Sequence, residues 1–198
     1  IGFPTALQMF FEVTAFAGAA FICGLVSAKD IASHQIALSM ASFTFNLCIG
    51  FSVASTVLIG RKLGERDFVG LKNVGVNNLK IVFIFMFVCG LFFIIGRHIL
   101  PTFFTKPEDV DVVQLAAKLM IIAALFQLSD GIQVVALGSL RGIQDVKIPS
   151  IITFIAYWLI AIPLGYVLCV PLKMGAFGMW IALGLGLTVS AFLLVYRF

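Results

Sequence analysis

The chain has 198 residues, of which 62% are hydrophobic and only 11% charged, and its mean hydropathy is +1.15. A soluble domain carries about 25% charged residues, so this composition excludes a water-soluble globular protein. The net charge of +4 comes from basic residues between apolar runs, and it gives no support to nucleic-acid binding. The chain is predicted to be an all-α integral membrane protein.

Six segments are apolar enough to cross a membrane, since a spanning helix needs about 20 mostly apolar residues. In chain order they lie near residues 2–25, 35–59, 79–95, 115–140, 149–170 and 176–196. Residues 1–198 are therefore predicted to form a single six-helix unit. Basic residues favour the loops on the side of the two chain ends, and the positive-inside rule predicts that both ends are cytoplasmic.

The first span contains one charged residue, Glu12, within an apolar run that extends from Ile1 to Ser27. A charged side chain near the bilayer centre costs about 2.5–3.5 kcal/mol even on the most lenient scale, and it usually marks an ion or substrate pathway. Gln8 lies one helical turn before Glu12, and Phe16 lies one turn after it. The first span is thus predicted to present a polar stripe with an aromatic neighbour.

The second span carries Asn46 together with serines at helical spacing, Ser39 and Ser42. Such residues hydrogen-bond between membrane helices, and the pattern fits a packing seam as well as it fits a cavity lining. The segment that follows, residues 60–79, mixes charged and apolar residues and is predicted to be an amphipathic stretch on the cytoplasmic surface.

The fourth span contains the second isolated acid, Asp130, with no other charge between Lys118 and Arg141. Gln127 and Gln133 flank it at helical spacing, and Phe126 lies one turn before it. In the fifth span, Pro163 is predicted to disturb the helix because proline lacks a backbone N–H. Each of the four cysteines falls in a different span, which favours buried free thiols over a metal site or a disulfide.

The two acids, Glu12 and Asp130, have two possible explanations. Each can be a protonated structural group, since a carboxyl without a nearby cation avoids ionisation when it is buried. Alternatively, each can bind a proton or Na⁺ reversibly and exchange it for an organic cation, which is the physical basis of antiport. No Lys or Arg is predicted mid-membrane to neutralise them, so we favour the second explanation. HExxH and GxSxG motifs are absent, and no enzyme activity or cofactor is predicted.

The sequence resembles the MATE (multidrug and toxic compound extrusion) transporters, in particular the second half of NorM-like members. The resemblance covers essentially the whole chain and lies in GFP at residues 2–4 with Glu12 and Phe16, IASHQIALS at 31–39, FQLSDGIQVVALGSLRGIQDVKIP at 126–149, YWLIAIPLGY at 157–166 and GAFGMW at 175–180.

The resemblance implies the C-terminal six-helix lobe of a twelve-helix, two-lobe exporter of organic cations in a bacterial inner membrane, coupled to Na⁺ or H⁺. The absence of an initiator Met agrees with a part of a longer polypeptide, and the implied partners are the N-terminal lobe, organic-cation substrates and membrane lipid. The family's coupling acids fall on Glu12 and Asp130, which would also hold Na⁺ in a sodium-coupled member. Phe126 stands where some members have a tyrosine, which leaves the choice of ion open.

The residues predicted to line the cavity are Gln8, Phe16, Asn46, Phe126, Gln127 and Gln133. Two other functions remain possible: a lipid-linked oligosaccharide flippase of the same superfamily, which needs basic groups in its cavity, and a structural membrane subunit that transports nothing.

Overall fold

The computed structural model describes residues 2–106 and 109–198, and all regular secondary structure within these ranges is helical. The described residues contain six helical spans that are long and apolar enough to cross a membrane. Their helices are α1 (Gly2–Val26), α2 (Ala28–Gly64), α3 (Phe68–Gly96), α4 (Val110–Gly142), the pair α5 (Lys147–Phe154) and α6 (Ile162–Cys169), and α7 (Gly175–Arg197). A short 3-10 helix (Leu100–Phe103) follows α3.

The segment at residues 60–79, predicted to be an amphipathic stretch on the cytoplasmic surface, forms the ends of two long helices. Helix α2 continues to Gly64, and α3 begins at Phe68 after a tight turn. Asp67 caps α3, because its Oδ1 accepts a hydrogen bond of 2.8 Å from the backbone N–H of Gly70. That bond and the nearby Lys62 ammonium hold the pKa of Asp67 below its ordinary value. The charged residues therefore lie on the ends of the two helices and on the turn between them.

Helix α4 lies at the centre of the lobe and packs against α2, α3 and α7. Its contact with α2 is close because small and hydroxyl residues face each other there. Ser52 donates a hydrogen bond of 2.8 Å to the carbonyl of Val134, and Thr56 donates one of 2.8 Å to the carbonyl of Gly138. A side chain at Gly138 would collide with the backbone of Ser52. Small residues and hydroxyl bonds of this kind hold membrane helices together.

The outer surface of the lobe is apolar. Large hydrophobic side chains point outward along the spans, for example Phe192, which is 71% exposed. An exposed apolar surface of this size is unfavourable in water but matches the hydrocarbon of a bilayer. The arrangement agrees with the prediction of an integral membrane protein.

The fifth span is interrupted by a π-helical segment (Ile155–Ala161) between α5 and α6. Pro163 is the second residue of α6, so the predicted disturbance occurs in the residues just before it. A π-helical turn changes which face each following side chain occupies and is common at functional sites. Here it contains Tyr157, whose side chain is completely buried in the lobe.

At the end of the lobe opposite the α2–α3 turn, a carboxylate joins three helices. Asp30, in the first turn of α2, accepts a hydrogen bond of 2.6 Å from the backbone N–H of Ala176 at the start of α7. Its other oxygen accepts one of 2.6 Å from the hydroxyl of Ser27, which follows α1. Gly175 adopts a φ of +58° against this carboxylate, a conformation that favours glycine. These hydrogen bonds hold α1, α2 and α7 together at this end of the lobe.

Candidate cation and substrate site

A cavity of about 390 Å³ lies between α1, α2 and α4, and we refer to it as the acid cavity. Both isolated acids, Glu12 and Asp130, line it, and so do both of the predicted aromatic residues, Phe16 and Phe126. The remaining lining is mostly apolar, with two small polar groups: Met9, Val13, Ala17, Ala20, Gln35, Leu38, Ala41, Ser42 and Phe45. The fold thus brings together four of the residues that the sequence analysis had singled out.

Glu12 is half-buried in α1 and has one side-chain partner. The hydroxyl of Tyr157 donates a hydrogen bond of 3.4 Å to its Oε1. The same hydroxyl accepts a hydrogen bond of 3.4 Å from Nε2 of Gln133 on α4. These contacts are long, so they orient the Glu12 carboxylate and leave it able to accept further ligands.

Asp130 is only 4% exposed, and its carboxylate accepts no hydrogen bond from residues 2–106 or 109–198. The following residue, Gly131, fits closely against Met86 of α3, so α4 lies close to α3 next to Asp130. A buried carboxylate without donors is unfavourable unless a proton or another cation neutralises it. Asp130 is therefore suited to reversible cation binding.

Aromatic rings form a continuous wall beside the two acids. The rings of Phe16 and Phe126 meet edge to face at 6.2 Å, and Phe126 meets Trp180 of α7 at 5.3 Å. Tyr157 lies 5.9 Å from Phe16 on the other side. Edge-to-face packing fixes the positions of the rings, and aromatic faces attract cations. A carboxylate next to such a wall suits an organic cation with an aromatic part.

Two of the predicted polar residues, Gln127 and Gln133, do not border the acid cavity. Gln127 is buried on a neighbouring face of α4, where it accepts a hydrogen bond of 3.1 Å from Thr44 and donates one of 3.3 Å to the carbonyl of Met86. Gln133 reaches Tyr157 and acts on Glu12 through it. Residues three apart on an α-helix differ by about 60° in direction, which separates these amides from Asp130.

Gln8 and Asn46 also lie away from the acid cavity. Asn46 is exposed on α2, and its amide donates a hydrogen bond of 2.7 Å to the carbonyl of Ser42. Gln8 is 3% exposed, and its Oε1 accepts a hydrogen bond of 3.2 Å from Nη2 of Arg141. The part of these residues in lining a transport pathway stays a prediction.

One basic side chain, Arg141, approaches Glu12, although no Lys or Arg was predicted to neutralise either acid. Arg141 follows the fourth predicted span, residues 115–140, but α4 continues to Gly142 and turns this side chain toward α1. Its positive charge interacts with Glu12. Tyr157 was also missed as a site residue, since an aromatic residue in an apolar run carries no distinguishing signal.

The described residues contain no group of three or more His, Cys, Asp and Glu side chains placed to hold a metal ion. The four cysteines are free thiols. A cation at the acid cavity would thus depend on the two carboxylates and on neutral oxygens such as the Tyr157 hydroxyl. Na⁺ accepts oxygen ligands of this kind, and a proton needs only one carboxylate.

The fold and the cavity define a helical membrane lobe in which two carboxylates lie beside aromatic rings. The chain belongs to the MatE family, whose model matches residues 4–167. It is 38% identical over its whole length to the multidrug resistance protein NorM of Photobacterium profundum, and it covers 44% of that protein. It is 37% identical to the multidrug resistance protein MdtK of Proteus mirabilis, again covering 44%.

Among solved structures, the crystal structure of the eukaryotic MATE transporter AtDTX14 matches with a TM-score of 0.90 at 20% identity. The match covers 99% of this chain and 44% of that one. The six-helix, MATE-type fold predicted from the sequence is confirmed, and so is the prediction that the chain is not an enzyme. The chain spans about half the length of the curated relatives that it matches.

Proposed function

We propose that this chain is the C-terminal lobe of a cation-coupled antiporter that exports organic cations across a bacterial inner membrane. Glu12 and Asp130 carry the coupling ion, Na⁺ or H⁺, and the N-terminal lobe of the same polypeptide completes the transporter. Two curated relatives named as multidrug resistance proteins support this proposal. Both ends of the lobe face the cytoplasm, in agreement with the distribution of basic residues.

The observation that carries the proposal is the buried Asp130 carboxylate, which has no hydrogen-bond donor among the described residues and shares a cavity with Glu12. Two carboxylates in a poorly solvated site cannot both stay ionised without a cation. Because a coupling ion and an organic cation neutralise the same charge, binding of one weakens binding of the other. This competition links inward movement of the ion to outward movement of the substrate.

Within this mechanism, the aromatic residues and the polar residues have different roles. Phe16 and Phe126 contact the apolar part of the substrate, while Gln133 and Tyr157 orient Glu12. The Tyr157 hydroxyl also supplies an oxygen near the acids, although Phe126 lacks one. Its position supports coupling to Na⁺ and to H⁺ equally well.

The flippase alternative is less favoured by the lining of the acid cavity. A lipid-linked diphosphate needs basic side chains, and none of the described lining residues is basic. The lining carries two carboxylates, which would repel a diphosphate. A structural subunit, in turn, would have no need for a buried carboxylate without a partner.

Transport by the full-length protein in proteoliposomes tests the proposal. We expect efflux of ethidium, driven by a Na⁺ or pH gradient, in the wild type and its loss in Glu12→Gln combined with Asp130→Asn. Glu65→Gln is the matched control, because Glu65 is a surface acid that pairs with Arg61 and Lys62. Gradient-driven efflux by the double variant at the wild-type rate would contradict the assignment.

A further inference from the structure

We propose that Arg141 is a built-in counter-ion, a tethered cation that replaces the coupling ion at Glu12 when that ion leaves. The inference rests on the proposed function, since it assumes that Glu12 binds and releases a cation. It assigns a positioning role to a residue outside the acid cavity. The positions of Gln8 and Glu12 on α1 and of Arg141 on α4 support this role.

The first step is the contact that Arg141 makes now. Its Nη2 donates a hydrogen bond of 3.2 Å to Oε1 of Gln8. Its Nε is fully buried and has no acceptor in residues 2–106 or 109–198, and the guanidinium forms no ion pair with any of these residues. A half-buried guanidinium whose buried Nε lacks an acceptor, and whose one hydrogen bond goes to a neutral amide, is poorly satisfied, because partial desolvation of its charge is not repaid by an anion.

The second step is the position of the nearest acid. Gln8 and Glu12 lie four residues apart on α1, so their side chains lie one above the other on the same helical face. The charges of Arg141 and Glu12 already interact electrostatically across this distance. The arginine side chain is flexible. A change of its rotamer would move the guanidinium along α1 by one helical turn, from Gln8 to the Glu12 carboxylate. There it would find the acceptors that its Nε lacks.

The third step is the consequence for exchange. In the proposed cycle, Arg141 rests on Gln8 while a Na⁺ or a proton is bound at Glu12. When that cation leaves, Arg141 moves to Glu12 and prevents an unpaired carboxylate in a poorly solvated site. Arginine suits this task because its guanidinium stays charged even when it is buried. The tethered cation therefore lowers the apparent affinity of Glu12 for the coupling ion and speeds release of that ion.

The test is the concentration of Na⁺, or of protons, that gives half-maximal ethidium efflux by the full-length protein in proteoliposomes. Arg141→Gln removes the competing charge. We expect the half-saturating concentration to fall about tenfold, which is an effect of the size that a nearby opposite charge has on a carboxylate. Maximal turnover also falls. Gln8→Leu keeps Arg141 but removes its resting place, so we expect the half-saturating concentration to rise. Arg61→Gln is the matched control, because Arg61 is 75% exposed and pairs with Glu65.

Opposite shifts in the two variants separate this role from a structural one, which would lower the maximal rate without changing the half-saturating concentration. Unchanged half-saturation in Arg141→Gln, or a shift of the same sign in both variants, overturns the inference and leaves the antiport proposal intact. If Arg141→Gln does not reach the membrane, the direction of the Gln8→Leu shift decides alone. Absence of gradient-driven efflux in the wild type overturns both proposals together.

Discussion

The two faces of α4 use polar residues in opposite ways. Toward α2, Thr44, Ser52 and Thr56 make buried hydrogen bonds of 2.8–3.1 Å to α4, and we call this contact the α2–α4 seam. Toward the acid cavity, among the described residues, Asp130 has no donor and Glu12 of α1 has a single side-chain hydrogen bond of 3.4 Å. The hydroxyl groups of the α2–α4 seam are hydrogen-bonded to α4, whereas the carboxylates at the acid cavity have one long hydrogen bond between them among the described residues.

Under the proposed function, the two faces of one helix divide stability and exchange between them. In hydrocarbon an unpaired polar group is unfavourable, so a paired seam resists separation of its helices. A site that must bind and release a cation needs unpaired oxygens, because fully paired ones have nothing to offer a ligand. The seam therefore holds α4 at a fixed position while the opposite face presents Asp130 to the cavity.

The largest expected effect comes from disrupting the seam at Gly138. Gly138→Val places side-chain atoms against the backbone of Ser52, which cannot move without shifting α2. We expect a loss of about 3 kcal/mol of stability, the upper end for overpacking a well-packed core. Thermal unfolding of the purified protein in detergent measures this loss. Gly184→Ala is the control, because a Cβ there meets no atom within 4 Å; equal destabilisation by both substitutions would contradict the close contact.

A smaller effect is expected on the cavity side, at Tyr157. Tyr157→Phe removes the hydroxyl that joins Glu12 to Gln133 and retains the ring that packs on Phe16. A hydrogen bond to a charged group contributes about 1.5–3 kcal/mol, and the 3.4 Å length of this bond places the effect at the lower end. Because this bond stabilises the ionised carboxylate, its removal strengthens proton binding, and we expect roughly a tenfold fall in the proton concentration needed for half-maximal efflux, with little change in thermal stability.

The control for this substitution is Tyr166→Phe, which changes an exposed tyrosine in the same span. If both substitutions shift the half-saturating concentration equally, the hydroxyl of Tyr157 has no special role. If Tyr157→Phe mainly lowers the unfolding temperature, this tyrosine belongs with the seam residues and the contrast between the two faces weakens.

A still smaller effect is expected at Ser52. Ser52→Ala removes one hydroxyl bond to the carbonyl of Val134 and leaves the small residue that close packing needs. Hydrogen bonds between membrane helices contribute about 0.6 kcal/mol on average. We expect a fall in unfolding temperature that corresponds to this value and unchanged half-saturation of efflux. A change in cation dependence with no loss of stability would show that the seam also takes part in exchange.

The smallest expected effect lies outside the membrane, at the Asp67 cap. The ionised carboxylate stabilises the α2–α3 turn, and its pKa is lowered from 3.8 by the Gly70 N–H and by Lys62. This stabilisation is present above pH 3.8 and is lost as the pH falls through the lower value in the folded state. The small difference in unfolding temperature between the wild type and Asp67→Asn should therefore disappear on acidification. A difference that grows toward low pH would contradict this.

Most of the fold could be predicted from the sequence, because length and hydropathy alone define six spans. The helix ends could not, since charges at Arg61 and Lys62 mark the membrane boundary while α2 continues to Gly64. At the site, Glu12 and Asp130 stood out as isolated charges in apolar runs. Phe16 and Phe126 followed from their positions one turn away, and both line the acid cavity.

The rest of the site could not be predicted, for reasons of geometry. Gln127 and Asp130 were predicted to share one helical face because they are three residues apart. Side chains at this spacing point in directions that differ by about 60°, and Gln127 lies in the α2–α4 seam. The π-helical segment turns Tyr157 toward Glu12, and regular helical periodicity does not reveal that turn. Arg141 reaches Gln8 through its long side chain, which joins α4 to α1, and that tertiary contact cannot be read from the sequence.

The most direct test of the central claim is equilibrium competition for the two carboxylates in the purified full-length protein. Ethidium binding would be followed by fluorescence anisotropy while Na⁺ is raised at fixed pH and while pH is lowered without Na⁺. We predict that at least one of these cations displaces ethidium competitively, and that Glu12→Gln combined with Asp130→Asn removes the displacement. Bound ethidium that responds to neither cation in the wild type, or equal displacement in the double variant, would contradict the account.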